Sequence, residues 1–234
     1  MEGMRVEFHP NGCGVIYLGK GENRLNDTFL TNLHKSLDEV ERNKECKVLI
    51  TTGEGKFFSN GIDLQWAMQD QRNADLLEQL YTKVRWKLFH FPIPTVAAIN
   101  GHAFAGGAGL AITHDYIVMQ RERGWLCWTE VLRHIRIPEH LRIFPGYKMS
   151  AKVKRDALLY AKRYTAEEAK KDELIDEVAN SEDLLDVAMQ VGLNALGKNI
   201  IDRDMLQTMK KDTFPLPAVQ HQTKLSTTFY KAKL

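Results

Sequence analysis

Two short stretches combine glycine with small and polar residues in a way that could support chemistry. They are Lys56-Phe57-Phe58-Ser59-Asn60-Gly61-Ile62-Asp63-Leu64 and Asn100-Gly101-His102-Ala103-Phe104-Ala105-Gly106-Gly107-Ala108-Gly109. Each follows an apolar run with strand character and leads towards a helical pattern. The first N–H groups of a helix have no partner in the helix and sit at the positive end of its dipole. Two such groups converging on one carbonyl would form an oxyanion hole. Glycine permits the turn and a close approach to the backbone. The same residues also suit ordinary strand-to-helix turns that do no chemistry. The second stretch lacks the G-x-G-x-x-G spacing of a dinucleotide site. No His, Cys, Asp or Glu spacing suits a metal, and no serine has a matching base and orienter. His114-Asp115 is a catalytic pair on paper only, since it marks a helix end entering a strand. His102 reads as a packing residue and Asp63 as a loop cap.

Alternating strand and helix patterns must position these stretches. Residues 5–8 and 15–18 read as strands of a hairpin around Pro10-Asn11-Gly12. Phe29, Leu30, Leu33, Leu37 and Val40 recur at helical spacing, which predicts a helix over 27–42. Strand character returns at 48–51, 95–99 and 116–119, with one helix from about 64 to 89 ending before Pro92 and Pro94. This order predicts an α/β core with parallel pairing and right-handed crossovers. After about residue 150 the pattern becomes helical, at 157–161, 166–171, 184–196 and 201–209, without strand alternation. Thr165 and Glu168 have the spacing of a capping box. The expected division is a core over 1–150 and a helical region over 151–234.

With 234 residues, the chain can bury a sizeable core. A hydrophobic share of 44% excludes disorder as the dominant state. No apolar stretch is long enough to span a membrane. A net charge of +2 is too balanced for a dedicated nucleic-acid binder, although local basic patches for a small anion remain compatible with it. Three widely spaced cysteines, Cys13, Cys46 and Cys127, give neither a disulfide framework nor a zinc site, which fits a reducing compartment.

Taken in order, Gly55-Lys-Phe-Phe-Ser-Asn-Gly-Ile-Asp-Leu64, Pro94-Thr-Val-Ala-Ala-Ile-Asn-Gly101 and His114-Asp115-Tyr116 resemble the crotonase (enoyl-CoA hydratase/isomerase) superfamily, over about residues 6–178. Within it the chain is most similar to peroxisomal Δ3,Δ2-enoyl-CoA isomerases. The resemblance implies a crotonase-like spiral of ββα units carrying an acyl-CoA site. C-terminal helices would complete the subunit and the contacts of a homotrimer or hexamer. It places the oxyanion-hole N–H groups on Ile62 and Gly106, with Ser59, Asn60, Gly61, Asp63, Leu64 and Gly107 around the substrate. Hydratases of the family use two glutamates. Here Gly109 stands at the first position and Glu130, in Trp128-Thr129-Glu130-Val131, at the second. One carboxylate without its partner suits proton shuttling rather than water addition. The apolar neighbours Trp125, Leu126, Trp128 and Val131 argue against a fully solvated Glu130. Dienoyl-CoA isomerases use a further acid, whose matching position is Pro138, with Glu139 next to it.

The resemblance thus implies a shift of a fatty acyl-CoA double bond from C3 to C2 through an enolate, as in β-oxidation. Dienoyl-CoA isomerisation and acyl-CoA binding without turnover are the alternatives. No metal or redox cofactor is implied, since coenzyme A is part of the substrate. The C-terminal Ala232-Lys233-Leu234 follows the small–basic–Leu pattern of a peroxisomal address, and the N-terminal residues show no secretory or mitochondrial signal. The expected location is the peroxisomal matrix, reached through the import receptor. The alternative is a cytoplasmic protein whose tail packs as structure.

Overall fold

A computed structural model describes residues 3–198 and 201–216. Strands β1 (Arg5–Phe8) and β2 (Cys13–Tyr17) form an antiparallel hairpin. At its turn, the Asn11 side chain accepts a hydrogen bond from the Cys13 N–H. Helix α1 (Asp27–Arg42) begins at Asn26, whose side chain caps the Phe29 N–H, a typical N-cap bond. Then follow β3 (Val48–Thr52), β4 (Phe57–Ser59), α2 (Leu64–Ala67) and α3 (Gln71–Phe89). The next unit is β5 (Thr95–Ile99), β6 (His102–Phe104) and α4 (Gly106–Ala111). Strands β7 (Tyr116–Gln120) and β8 (Leu126–Cys127) lead into a 3-10 turn at Glu130–Arg133 and then α5 (Glu139–Lys148).

The chain therefore repeats a strand–strand–helix unit. From the second unit on, the first strand of each pair enters a large sheet and the second a small one. The large sheet has the order β1-β2-β3-β5-β7-β9, and the small parallel sheet the order β4-β6-β8. All neighbours in the large sheet beyond the hairpin are parallel. Its central strands are buried on both faces, so they read as continuous apolar runs. Leu49, Ala97, Ile99 and Met119 pack into a core with Leu30, Leu33 and Leu37 of α1 and Leu77, Val84 and Leu88 of α3. Val48, Ile50, Val96, Ala98 and Val118 form the opposite layer.

The last third contains α6 (Ala151–Lys154), a π turn at Arg155–Leu159, α7 (Ala166–Lys171), β9 (Glu177–Ala179), α8 (Leu184–Leu196) and α9 (Arg203–Thr213). The capping box of α7 forms between Thr165 and Glu168. Helix α8 covers the second layer through Leu184, Ala188 and Met189. Three sequence expectations change. The helix over 64–89 is two helices, because the Asp70 side chain caps a new start by accepting from the Arg72 N–H. The helix over 157–161 is a π turn continuing α6. The strand β9 lies in the region read as wholly helical and pairs with β7; three residues are too short for alternation to show. Ala232-Lys233-Leu234 lies outside the described residues.

Candidate active site

The two glycine-rich stretches meet where the small sheet gives way to helix. Ile62 forms an isolated parallel bridge with Leu25: the Leu25 N–H donates to Gly61 and the Asp63 N–H to Leu25. That bridge leaves the Ile62 N–H itself without a bonded partner among the described residues. Gly61 has φ +77°, and a Cβ there would lie 2.7 Å from the Phe104 carbonyl oxygen, so only glycine fits. On the other side, Ala105 takes φ +49° and ψ −118°, a conformation that costs an alanine strain. Its N–H donates to Cys127 and its carbonyl accepts from Gly109, so the strain is held on both sides. The kink presents the Gly106 N–H at the first position of α4, where no intrahelical acceptor exists. A Cβ at Gly106 would lie 3.5 Å from the Ile62 nitrogen, so the two N–H groups stand close together.

A cleft of about 640 Å³ opens over this pair. Its wall includes Asn60, Ile62, Asp63, Leu64, Ala105, Gly106 and Glu130, with Arg24, Arg133 and Arg163 also lining it. Past Ile62, Gly106 and Glu130 lies a smaller chamber of about 40 Å³, lined by Tyr81, Arg85, Gly109, Trp128, Ile137 and Leu141 among others. Ile62, Ala105, Gly106, Glu130 and Ile135 border both spaces. Glu130 thus stands at the neck between them.

Glu130 starts the 3-10 turn after β8, and its Oε2 is buried without a hydrogen-bond partner among the described residues. Burial pushes its carboxyl up to about 7, against smaller lowering effects from its own backbone N–H and from Arg85. Such a group can accept and return a proton near neutral pH.

Of the other residues singled out from the sequence, Ser59 and Gly107 lie behind the cleft wall with Gly61. The Ser59 hydroxyl donates to the Asn23 carbonyl and accepts from the Gly61 N–H, which shapes the loop. Asp63 caps α2 by accepting from the Trp66 N–H while also lining the cleft. Glu139 is exposed at the first turn of α5 and lines neither space. His102 packs among Phe57, Phe104 and Trp125. Burial lowers His114 to about 4, and its Nδ1 lies 3.2 Å from the carbonyls of Leu110 and Ala111. Asp115 accepts from the Thr95 N–H and from the Lys210 ammonium at 2.6 Å, tying α9 to the sheet. No group of three or more potential metal-ligating residues occurs among the described residues.

Tyr81 and Arg85 enter the site without having been singled out from the sequence. They stand one turn apart on α3, where a tyrosine and an arginine fit an amphipathic helix, and only the fold brings them to the chamber. The Tyr81 hydroxyl donates to the Gly106 carbonyl at 2.6 Å, so α3 holds the start of α4 in place.

The profile of the enoyl-CoA hydratase/isomerase family matches residues 10–232. Enoyl-CoA delta isomerase 1, peroxisomal, from Arabidopsis thaliana is 34% identical over 178 residues, covering 74% of each chain. Enoyl-CoA delta isomerase 3 of the same plant is 30% identical over 205 residues, covering 84% of this chain and 86% of its own. Human mitochondrial delta3-delta2-enoyl-CoA isomerase superposes with a TM-score of 0.81 at 23% identity, over 90% of this chain and 84% of its own, a likeness of fold.

Proposed function

The chain belongs to the enoyl-CoA hydratase/isomerase family, and from that premise we propose that it is a Δ3,Δ2-enoyl-CoA isomerase acting on unsaturated fatty acyl-CoA in β-oxidation. The observation that carries this reading is a single buried, unpartnered carboxylate oxygen, on Glu130, at a neck also bordered by Ile62 and Gly106. In the proposed mechanism the N–H groups of Ile62 and Gly106 donate to the thioester oxygen. That oxygen gains negative charge when Glu130 removes a proton from C2. The resulting dienolate spreads its charge from the oxygen to C4. Glu130 returns the proton to C4, which moves the double bond from C3–C4 to C2–C3. Losing one oxyanion donor typically costs about 2.7–4 kcal/mol of barrier, so the pair supplies much of the acidification at C2.

Hydration needs a second carboxylate to hold water, and the position that would carry it is Gly109. A Cβ there would lie 2.5 Å from the Tyr81 hydroxyl, so that space is already filled. The dienoyl reading gains no support from Glu139, which is exposed and off both cavity walls. Asn60, Asp63 and Leu64 would flank the thioester, while Ser59, Gly61 and Gly107 shape the loops behind it. Arg24, Arg133 and Arg163 line the wide cleft and would meet the coenzyme A phosphates. A homotrimer or hexamer and import into the peroxisomal matrix through Ala232-Lys233-Leu234 complete the proposal; enoyl-CoA delta isomerases 1 and 2 of Arabidopsis thaliana are both named as peroxisomal.

The deciding assay incubates purified protein separately with 3-hexenoyl-CoA and 2-hexenoyl-CoA. Conversion of the first to the 2-enoyl product, lowered at least ~100-fold in kcat by Glu130→Gln, is the expected result. Hydration of the second substrate without isomerisation of the first overturns the reading.

A further inference from the structure

Two charged side chains face the inner chamber with atoms that no other group satisfies. Glu130 Oε2 and Arg85 Nε and Nη2 are all buried and without hydrogen-bond partners among the described residues. Both residues line the chamber. Arg85 is only 2% exposed. It is held by a 3.4 Å bond from Nη1 to the Leu141 carbonyl and by the ring faces of Phe144 and Tyr81, at 4.0 and 5.1 Å. A Cβ at Gly109 would clash with the Tyr81 hydroxyl at 2.5 Å and stand in ordinary contact with the Arg85 guanidinium carbon at 3.8 Å. No carboxylate of the described residues forms an ion pair with this guanidinium, and a buried cation demands compensation.

The other ionisable groups around Glu130 come from every neighbouring element. Tyr81 belongs to α3, Cys127 to β8, Arg133 to the 3-10 turn and Arg136 to the segment after it. Glu22, Arg24, Asp63 and Arg163 line the wide cleft. Arg24, Arg133, Arg136 and Arg163 are exposed, so solvent and salt screen them. Arg85 is the buried cation of the set.

We propose that Arg85 is a positioning residue for the double-bond shift: its guanidinium is the buried counter-charge that keeps the Glu130 carboxyl in its proton-accepting form at the chamber wall. This rests on the isomerase reading for its chemical meaning. Burial alone favours a neutral glutamic acid, which could not take a proton from C2, whereas an opposite charge favours the carboxylate. Burial acts most strongly on Glu130 and raises it, while its own backbone N–H and then Arg85 act in the lowering sense. Arg85 neither gains nor loses a proton. The proton passes from C2 to Glu130 and on to C4, and the enolate charge rests on the thioester oxygen. Tyr81, bonded to the Gly106 carbonyl, ties the helix carrying Arg85 to the oxyanion segment.

The test compares full-length wild type, Arg85→Met and Arg85→Lys by two readouts. One is the pH profile of kcat/KM with 3-hexenoyl-CoA. The other is a ¹³C NMR titration of glutamate carboxyls in the free protein, with Glu130 assigned by its loss in Glu130→Gln. Arg85→Met is expected to move the acid limb and the Glu130 midpoint upward by about one pH unit, with activity recovering at alkaline pH. Arg85→Lys should hold both near wild type. A Met variant that loses activity equally at every pH, with the Glu130 midpoint in place, overturns the proposal and leaves Arg85 a packing residue. Melting curves accompany each variant, and Arg85→Gln replaces Arg85→Met if the latter does not fold. The NMR arm needs no turnover. A wild type that fails to isomerise while its Glu130 midpoint moves on Arg85→Met sinks only the isomerase reading.

Discussion

Glu130 is held where its charged form is disfavoured, and stability records that cost. Its carboxyl is raised from an ordinary 4.5 to about 7 by burial, so the folded state binds this proton more tightly than the unfolded chain. The favourable contribution is complete below the unfolded value and is lost as pH rises through about 7. At one pKa unit per about 1.4 kcal/mol, the penalty above neutrality is on the order of 3 kcal/mol. Glu130→Gln should therefore melt several degrees higher than wild type at pH 8, with little gain at pH 4. Thermal melts at both values check this, and an equal gain at both would contradict it. For the same reason kcat/KM should rise from acid pH and level off above about 7, if the ionised carboxylate is the base as proposed. The base role of Glu130 comes from the family resemblance and is a proposal, whereas its burial was legible from apolar neighbours in the chain, of which Leu126 and Trp128 are buried and Trp125 and Val131 exposed. That of Arg85 was not. An arginine on an amphipathic helix reads as solvated, and only the fold surrounds it with Tyr81, Phe144 and the Leu141 carbonyl.

At the level of elements, α1 could be read from its helical periodicity and the strands of the large sheet's centre from their apolar runs, whereas β4, β6 and β8 could not be read. They have three, three and two residues, too few for alternation. The first two were read as parts of glycine-rich loops and the third was not read as an element, yet together they form the sheet from which Gly106 and Glu130 emerge. The strain at Ala105 was equally invisible, since no glycine marks that position. Helix α8 carries a different constraint. A Cβ at Gly192 would lie 2.3 Å from Val48 Cγ1 and 3.2 Å from Val96 Cγ2, so the helix rests directly on β3 and β5. Alanine in a helix is intrinsically better than glycine by about 0.8–1 kcal/mol. Overpacking a buried interface costs about 1–3 kcal/mol. The short, buried Val48 side chain cannot swing away, so the second effect should win. Gly192→Ala should lower Tm while leaving the KM of the proposed isomerase reaction unchanged, and a raised Tm would show that α8 can lift at little cost.

Across the whole molecule, the large sheet draws strands from residue 5 to residue 179, and the partly buried Lys210–Asp115 pair fastens α9 beside β5. The address proposed for the last three residues operates at this scale too, because a receptor reads the assembled protein's tail. A fluorescent fusion at the N-terminus leaves that tail free. Punctate signal that turns diffuse on deletion of Leu234 is expected, and diffuse signal from the intact tail would defeat the address. The order of the strands also has a consequence for synthesis. By residue 120, β2, β3, β5 and β7 are all present, but Val48, Ile50, Val96, Ala98 and Val118 have no cover until α8 has been made. At roughly 5–20 residues per second, the ribosome leaves this bare apolar sheet waiting for several seconds. During that interval the nascent chain is a natural client for chaperones, and a message truncated before α8 would yield a sticky, half-clad sheet.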